Sequence, residues 1–403
     1  MNIQAEDYDI IIVGAGLVGA TLACSIAGQN PAAILRIALI EGNNEVQHFC
    51  GTAFDPRVVA LTQASQNLLT QINVWQAVVK QRACAYSDMQ VWDGEGTANI
   101  HFTSAEVRQP HLGHIVENSV IVNALRERLA QYRQITVIQP AKIIGLARNE
   151  KVQIELNNGN KLTASLLIAA DGAHSTVREL AKFETREWEY GQQAIITTVQ
   201  TELPHQATAW QRFSRRGPLA FLPLPDSEGK HFCSIVWSAE HALADEVMAL
   251  NDSDFCARLG FAFEHKLGAI LATAERFAIP LRQRHAKTYI QPQIALVGDA
   301  AHNIHPLAGQ GVNLGLLDAA ALSQEISRAI ARGIPLNDFS ILRRYQRQRL
   351  ASNLVMMSAM EAFKRLFGNQ SLMINWLRNT GIRQLDSLAS LKKIIVKAAM
   401  GLH

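Results

Sequence analysis

The stretch DIIIVGAGLVGATLAC, residues 9–24, constrains the fold more than any other part of the chain. Its apolar run IIIV, residues 10–13, is β-branched throughout, which predicts a strand buried on both faces. Glycines follow at positions 14, 16 and 19, and the small residues after them predict a helix. The segment ILRIALIEG, residues 34–42, reads as a second strand. Together they predict a β-α-β unit within about thirty residues, the setting in which this glycine spacing is informative.

The glycine spacing in this setting predicts a dinucleotide site. The turn Gly14-Ala15-Gly16 lets the backbone approach a pyrophosphate, and Gly19 lets the helix pack closely on the strand. The start of the helix adds free N–H groups and a partial positive charge. Glu41 ends the second strand, where an acid accepts hydrogen bonds from an adenosine ribose. No arginine follows Glu41 directly, so NADP is disfavoured, and FAD, NAD or a glycine turn without a ligand remain.

The rest of the chain predicts a second, mainly β unit. A length of 403 residues with 48% apolar and 18% charged residues is typical of two globular domains. Residues 86–102 read as two strands around a turn, and more strands are predicted between 191 and 238. Helices are predicted at 64–82 and at 118–132, the second capped by Ser119. The predicted division is an α/β domain over 1–84, 103–185 and 276–335, a β-sheet substrate domain over 85–102 and 186–275, and a helical region over 336–403.

Charge and cysteine usage exclude several classes of protein. The net charge of +3 is too small to indicate a nucleic-acid partner. Residues 341–403 hold eleven Lys and Arg against two acids, which fits either an anionic lipid surface or solvated helix faces. The five scattered cysteines fit reduced thiols. No signal peptide and no run of about 18 apolar residues is evident, which predicts a cytoplasmic protein, soluble or peripheral at the inner face of the cytoplasmic membrane.

Two further stretches repeat the pattern of an apolar strand that ends in a glycine-containing turn. LLIAADGAHSTVREL, residues 166–180, places Asp171-Gly172 before a helix start. ALVGDAAHNIHPLAGQGVNLGLLDA, residues 295–319, places Asp299 after a strand and runs through proline and glycines into a helix. A metal site at His302 and His305 is the alternative for the last stretch. Pro306 and the glycines argue against the regular helix that it requires, so no metal is predicted.

The three motifs, in this order, resemble those of the single-component flavoprotein aromatic hydroxylases, the group of para-hydroxybenzoate hydroxylase. The resemblance implies an FAD-binding Rossmann-like domain interleaved with the β-sheet domain, plus C-terminal helices. It also explains the distant glycine loops, because FAD is long and its flavin must be held by a segment other than the loop that binds ADP. The implied cofactor contacts are Arg57 and Asn118, then Asp171, Gly172 and Arg178 in the second motif, and Asp299, Pro306, Gly309, Gly311, Val312 and Asn313 in the third.

The resemblance also implies a mechanism. NAD(P)H binds transiently and reduces FAD, O₂ adds to give a flavin C4a-hydroperoxide, and an electron-rich phenol carbon takes its distal oxygen. The helix that starts near Gly311 aims its N–H groups at the anionic edge of reduced flavin. Candidate catalytic residues are Pro306, which would abut the isoalloxazine, and His305, as a base or as a structural residue. Candidates for the pocket wall, or for plain sheet core, are Phe213, Phe221, Leu222, Pro223 and Trp237.

A narrower resemblance is to the bacterial ubiquinone-biosynthesis hydroxylases. It is carried by HLGHIVENSVIVNAL (111–125), AFLPLP (220–225), VGDAAHNIHPLAGQGVNLG (297–315) and LRRYQRQR (342–349). This resemblance implies a polyprenylated phenol or quinol as substrate, with ring carbon C5 favoured and C6 as the alternative. It implies partner proteins of a biosynthetic complex. Apolar, basic helices are predicted at 358–368 and 388–402, and their alternatives are contact with anionic lipid or a partner protein, packing on the parent domain, or the interface of a homo-oligomer. Two different functions stay open at this point: a hydroxylase of soluble aromatics, and a flavin-holding scaffold without catalysis.

Overall fold

A computed structural model describes residues 5–33, 35–43, 47–94, 96, 99–214, 216–303, 310–368 and 400–401. The strands are β1 (Glu6–Val13), β2 (Ile37–Ile40), β3 (Val58–Thr62), β4 (Cys84–Tyr86), β5 (Asp88–Asp93), β6 (Asn99–Thr103), β7 (Gly113–Glu117), β8 (Ile135–Ile138), β9 (Ile143–Arg148), β10 (Val152–Leu156), β11 (Lys161–Ala169), β12 (Thr185–Thr201), β13 (Thr208–Phe213), β14 (Leu219–Ser227), β15 (Lys230–Glu240), β16 (Ile270–Thr273), β17 (Phe277–Ala286), β18 (Ile290–Gln291), β19 (Ile294–Leu296) and β20 (His302–Asn303). The α-helices are α1 (Leu17–Gln29), α2 (Gln63–Gln71), α3 (Trp75–Gln81), α4 (Asn118–Leu129), α5 (Thr176–Leu180), α6 (His241–Ala249), α7 (Asp252–Ala262), α8 (Gln310–Ala331) and α9 (Phe339–Gly368).

The first sheet is the predicted dinucleotide-binding sheet. In the described part of the chain it has eight strands, with β19, β11, β1, β2 and β8 parallel and adjacent in that order. Ile10, Ile11 and Ile12 of β1 are fully buried, as their β-branched run predicts. Helix α1 is buried around most of its circumference and packs on α8 and α4. The predicted α/β class is therefore confirmed.

The second sheet is the mainly β unit. Across the described residues it has nine strands, ordered β20-β17-β12-β15-β14-β13-β5-β6, with β16 on the edge of β12. Helices α6 and α7 cover one face and form an apolar core with it. A third, smaller sheet of β3, β7 and β4 lies where the two units meet, because Phe54, Ala60 and Ile115 contact Leu224 and Phe232 of the second sheet.

Three local expectations differ from the structure in detail. The helix predicted at 64–82 is two helices, because Asn73 takes a left-handed conformation with φ 59° between them. The N-cap predicted at Ser119 is wrong: α4 begins at Asn118, and the Ser119 N–H donates to Asp55 Oδ2 at 3.0 Å instead. The strand β17 pairs with β12 in the second sheet, which favours a domain boundary after Ala286 rather than at 276. The domain division itself stays a prediction.

Among the described residues, no helix combines the length and the apolar character that crossing a membrane requires. All five cysteines are free thiols.

Candidate cofactor and active site

Four of the predicted site residues follow four neighbouring parallel strands. Gly14 follows β1, Glu41 follows β2, Asp171 comes two residues after β11, and Asp299 lies three residues after β19. The backbone pairing continues past the strand ends, since the Gly14 N–H donates to Ile40 O at 2.8 Å. The carboxyl ends of parallel strands share one edge, where ligands of open α/β sheets bind. The structure therefore brings residues from three remote motifs to one edge.

The first glycine loop is packed against protein at Gly14 and Gly19 and is open at Gly16. A Cβ on Gly19 would lie 1.9 Å from the Gly14 carbonyl oxygen, and Gly14 itself has φ +98°. Both glycines are thus required by the protein. At Gly16, by contrast, a Cβ would meet no protein atom within 4 Å. The Glu41 carboxylate accepts the Ala15 N–H at 2.8 Å, so the loop and the acid are in direct contact.

The second motif contributes a carboxylate with one unused oxygen. Asp171 Oδ2 accepts the Val177 N–H at 3.2 Å at the start of α5. Asp171 Oδ1 is buried and has no hydrogen-bond partner among the described residues. Burial raises the pKa of this carboxyl, and hydrogen bonds from the α5 start, including Ser175, oppose the shift. Gly172 has φ +78° and open space on its Cβ side. The second motif thus combines a carboxylate oxygen that has no donor in the described part of the chain with open space at the neighbouring Gly172.

Arg178, predicted as a cofactor contact, joins the second motif to the third. Its guanidinium donates to Ala173 O at 2.8 Å and to Ala300 O at 3.0 Å, and the residue is 3% exposed. The Arg178 N–H donates to Ser175 Oγ at 3.0 Å. In this arrangement the side chain fixes the two turns against each other. Its contact with the cofactor stays a prediction.

The third motif brings Asp299 to the same edge. Its side chain is exposed to solvent, although desolvation by the surrounding protein raises its pKa. The Asp299 carboxylate is thus open to solvent on one side and closely surrounded by protein on the others, as expected at the floor of an open cleft. Next to it, Gly298 and Gly315 of α8 pack on Val18 of α1, where a Cβ on Gly315 would lie 2.8 Å from Val18 Cγ2. The first and third glycine motifs are therefore in contact through the Val18 side chain, which packs on the glycine backbone of the third motif.

Asn313 anchors the start of α8. Its Oδ1 accepts the Thr62 N–H at 3.0 Å and the Ser65 hydroxyl at 2.7 Å, and its Nδ2 donates to Ala60 O at 2.8 Å. With the side chain engaged in this way and 2% exposed, a cofactor contact would involve its backbone. Gly311 and Val312, two residues and one residue earlier, are half-buried at the first turn of α8. They present helix N–H groups at this end of the cleft.

Arg57 and Asn118, two of the implied cofactor contacts, are adjacent. The Asn118 N–H donates to Arg57 O at 2.9 Å, and the Arg57 N–H donates to Asp55 Oδ1 at 2.9 Å. The Arg57 side chain is exposed. Asp55 is held in turn by the buried Glu117, which accepts the Asp55 N–H at 2.6 Å and pairs with Arg82 at 2.6 Å. These supporting residues were not predicted from the sequence.

Three predicted site residues lie outside the described residues: His305, Pro306 and Gly309. The metal alternative involved His302 and His305. His302 is buried and pairs with Asp318 at 2.5 Å. In the parts of the chain that the structure describes, no group of His, Cys, Asp and Glu side chains could hold a metal ion.

The polar groups at the sheet edge fit FAD. The open face of Gly16 suits a pyrophosphate, and Glu41, Asp171 Oδ1 and Asp299 are acceptors for ribose and ribityl hydroxyls. A family model described as an FAD binding domain matches residues 7–358. The chain belongs to this family.

Relatives of this flavoprotein are similar along its whole length. The 3-demethoxyubiquinol 3-hydroxylase of Escherichia coli K12 is 37% identical over 398 residues, which cover 98% of this chain and 99% of the relative. The ubiquinone hydroxylase UbiL of Rhodospirillum rubrum is 34% identical over 394 residues, covering 98% and 89%. The crystal structure of PqsL from Pseudomonas aeruginosa with 2-aminobenzoylacetate has a TM-score of 0.78 at 21% identity, covering 94% of this chain and 100% of that one.

These comparisons confirm the resemblance to the flavoprotein hydroxylases and the para-hydroxybenzoate hydroxylase-like fold. The protein is an FAD-dependent aromatic-ring monooxygenase, for which NAD(P)H and O₂ are the standard co-substrates. The roles of the individual site residues stay predictions. So does lipid contact through the C-terminal helices, because residues 369–399 and the side chains of 359–368 lie outside the described part of the chain. Two of the eleven basic residues of 341–403 are engaged internally, since Arg344 pairs with Glu325 and Arg349 with Asp318.

Proposed function

We propose that this flavoprotein hydroxylates the aromatic ring of a polyprenylated phenol or quinol in ubiquinone biosynthesis. The observation that carries the proposal is the similarity, over nearly the whole of both chains, to the 3-demethoxyubiquinol 3-hydroxylase. Bound FAD, reduced by NAD(P)H, supplies the activation of O₂. The protein's part is to bind both molecules, to orient the ring and to exclude water.

The ring position is the finer part of the proposal. The motifs favoured C5, with C6 as the alternative. A demethoxyubiquinol lacks one methoxy group, so it is a polyprenyl methoxy-methyl-benzoquinol, the substrate of the C6 alternative. The name of the Escherichia coli relative thus supports C6, and we propose C6 ahead of C5.

Quinone profiling of cells that lack this protein tests both the role in ubiquinone biosynthesis and the ring position. We expect ubiquinone to disappear and polyprenyl methoxy-methyl-benzoquinone to accumulate, because the oxygen at C6 is never added. Accumulation of a polyprenylphenol without ring methoxy groups would return C5 to first place. Unchanged ubiquinone would overturn the proposal, and rescue by a variant unable to bind FAD would indicate a scaffold.

The two faces of the second sheet suggest where the ring lies. Phe221 and Trp237, candidates for the pocket wall, lie in the core beneath α6 and α7, because their alternation places them on that face. Leu222 lies on the opposite face, which contacts β3 and β7 of the FAD-binding unit. A substrate between the two units therefore meets the Leu222 face. Pro223 pairs with Cys233 on the helix-covered face, and the alternation of β13 puts Phe213 on the Leu222 face.

Two unpaired hydroxyls mark this face. Thr198 and Ser234 are directly opposite in the β12–β15 register, and Ser234 is also opposite Leu222. Thr198 Oγ1 and Ser234 Oγ are buried and have no hydrogen-bond partner within the described residues. A buried polar group without a partner costs about 1–3 kcal/mol. We propose that these hydroxyls bind a ring oxygen of the substrate.

The double variant Thr198→Val/Ser234→Ala is expected to raise KM about tenfold, because two hydrogen bonds of about 0.5–1.5 kcal/mol each are lost. Steady-state kinetics with a short-chain quinol measure this, and FAD affinity should be unchanged. The matched control is Thr197→Val on the opposite face, where the hydroxyl donates to Ala274 O at 3.0 Å. The control should lose stability and keep KM. An unchanged KM in the double variant would contradict the assignment.

A further inference from the structure

The motif LRRYQRQR, residues 342–349, has no role in the function proposed so far. It lies in α9, and three of its side chains hold the elements around the third glycine motif: Tyr345 contacts β19, Gln346 the residues before β18, and Arg349 helix α8. The Tyr345 hydroxyl donates to Leu296 O at 2.8 Å, at the end of β19. Gln346 Oε1 accepts the Tyr289 N–H at 2.8 Å. Arg349 Nε donates to Asp318 Oδ1 at 2.7 Å.

Asp318 is the centre of this network and is fully buried. Its Oδ2 accepts the Gly298 N–H at 3.1 Å and pairs with His302 Nε2 at 2.5 Å. Its Oδ1 accepts from Arg349 and from Asn353 Nδ2 at 3.2 Å. Gly298 and His302 are the two ends of the turn GDAAH, residues 298–302, which carries Asp299. One carboxylate thus holds both ends of the turn that presents the cleft-floor acid.

The network holds Asp318 as an anion in the protein interior. Burial by itself raises the pKa of this carboxyl, but His302 and Arg349 outweigh burial and leave the pKa below its ordinary value. A buried charge is tolerated when it is paired and hydrogen-bonded. The Asp318 carboxylate accepts four hydrogen bonds, two at each oxygen, and a neutral amide at this position could not accept all four.

His302 extends the network into the second sheet. It pairs with His285 in the β20–β17 register, and His285 Nε2 lies 3.0 Å from the Tyr289 hydroxyl. Asn353 Nδ2 donates to the same hydroxyl at 3.3 Å. The turn 298–302 is thus fixed to α8, α9 and the second sheet at once, so its position has little freedom.

We propose that Asp318, held by Arg349, is a positioning residue for bound FAD: it fixes the turn 298–302 and so places the Asp299 carboxylate against the cofactor. The inference rests on cofactor binding at this sheet edge and is independent of the ring substrate. It gives the arginine of the α9 motif a function that requires no contact with lipid or with substrate.

The test compares Asp318→Asn with Glu325→Gln in the full-length protein. Glu325 lies two turns further along α8 and pairs with Arg344 of α9, but it does not touch the turn. FAD is titrated into each apoprotein, and the quenching of flavin fluorescence gives Kd. We expect Asp318→Asn to weaken FAD binding about tenfold, by analogy with the effect that supporting partners of metal ligands have on metal affinity, and to shift the visible spectrum of bound flavin. Glu325→Gln should lower the melting temperature and leave Kd and the spectrum unchanged.

A second variant separates positioning from folding. Asp318→Asn leaves the buried Arg349 without its anion, which is itself destabilising. Asp318→Leu/Arg349→Met removes both charges and is expected to recover most of the melting temperature while FAD binding stays weak. Wild-type Kd and spectrum in this double variant would overturn the proposal, because the network would then serve stability alone.

Discussion

Replacing Gly16 with alanine is expected to weaken FAD binding at least tenfold, or about 1.4 kcal/mol, without damage to the folded apoprotein. Gly16 has φ −68° and ψ −172°, a conformation that alanine adopts without strain. The new Cβ would meet no protein atom within 4 Å. It would instead fill the open face where the pyrophosphate approaches the loop. The methyl group is therefore expected to interfere with FAD binding and not with folding.

Gly16→Ala is predicted to weaken FAD binding while it leaves the apoprotein equally stable or slightly more stable. Alanine at an unstrained glycine position reduces the freedom of the unfolded chain, which stabilises a protein by about 0.4–1 kcal/mol. Thermal unfolding of the apoprotein should therefore show an equal or slightly raised melting temperature. Flavin fluorescence titration gives Kd for FAD. Wild-type affinity in Gly16→Ala would contradict the assignment of this face to the cofactor.

Gly19→Ala is the matched comparison. Its Cβ would lie 1.9 Å from Gly14 O, so α1 must move away from the β1 turn. Overpacking of this kind costs about 1–3 kcal/mol, and here it also displaces the helix that supplies the phosphate-binding N–H groups. We expect Gly19→Ala to lose both apoprotein stability and FAD binding. Gly16→Ala should lose only FAD binding.

Local sequence patterns were sufficient for the β-α-β unit at the centre of the first sheet. The β-branched run before Gly14 and the glycine spacing are encoded within about thirty residues, so strand, turn and helix follow from them. Strand β17 was not predicted from the sequence, and it contains a proline. Pro280 has no N–H to donate, and a proline normally argues against a strand that lies between two others. Pro280 is opposite Gln193, where the register between Glu189 and Gln193 shifts, so the proline is accommodated beside an irregularity.

The supporting contacts of the site depend on tertiary packing. Asp318 and Arg349 are 31 residues apart and meet only because α9 packs on α8. Asn313 and Thr62 are 251 residues apart. The acid within the apolar segment LGLLDAAAL, 314–322, was a signal that could have been used, because a buried acid requires partners. No local pattern shows which partners those are.

Acid is expected to destabilise this protein between pH 6.5 and pH 4 through two buried histidines. Burial, with help from His111, lowers the pKa of His114 to about 4. Burial, with help from His302, likewise lowers the pKa of His285 to about 4. Both are therefore neutral in the folded protein at a pH at which the unfolded chain is protonated. The unfolded state binds more protons in this window, so stability falls as pH falls.

The expected loss is roughly 2 kcal/mol per histidine after allowance for solvent screening, and it is complete near pH 4. Three carboxyls act in the opposite direction, because desolvation by the surrounding protein raises the pKa of Asp171, Asp299 and Glu117. These acids become protonated more readily in the folded state, which offsets part of the loss. The contribution of one histidine must therefore be read as a difference between a variant and its parent.

His114→Phe isolates that contribution. The His114 ring makes edge contacts with Trp75 at 4.8 Å and with His111 at 5.1 Å, which a phenyl ring can reproduce. Urea unfolding at pH 7.5, 6 and 5 should show a smaller loss of stability on acidification in the variant than in the parent. Parallel profiles for His114→Phe and the parent would show that His114 is protonated equally in the folded and unfolded states, and the buried ring would then contribute no acid sensitivity.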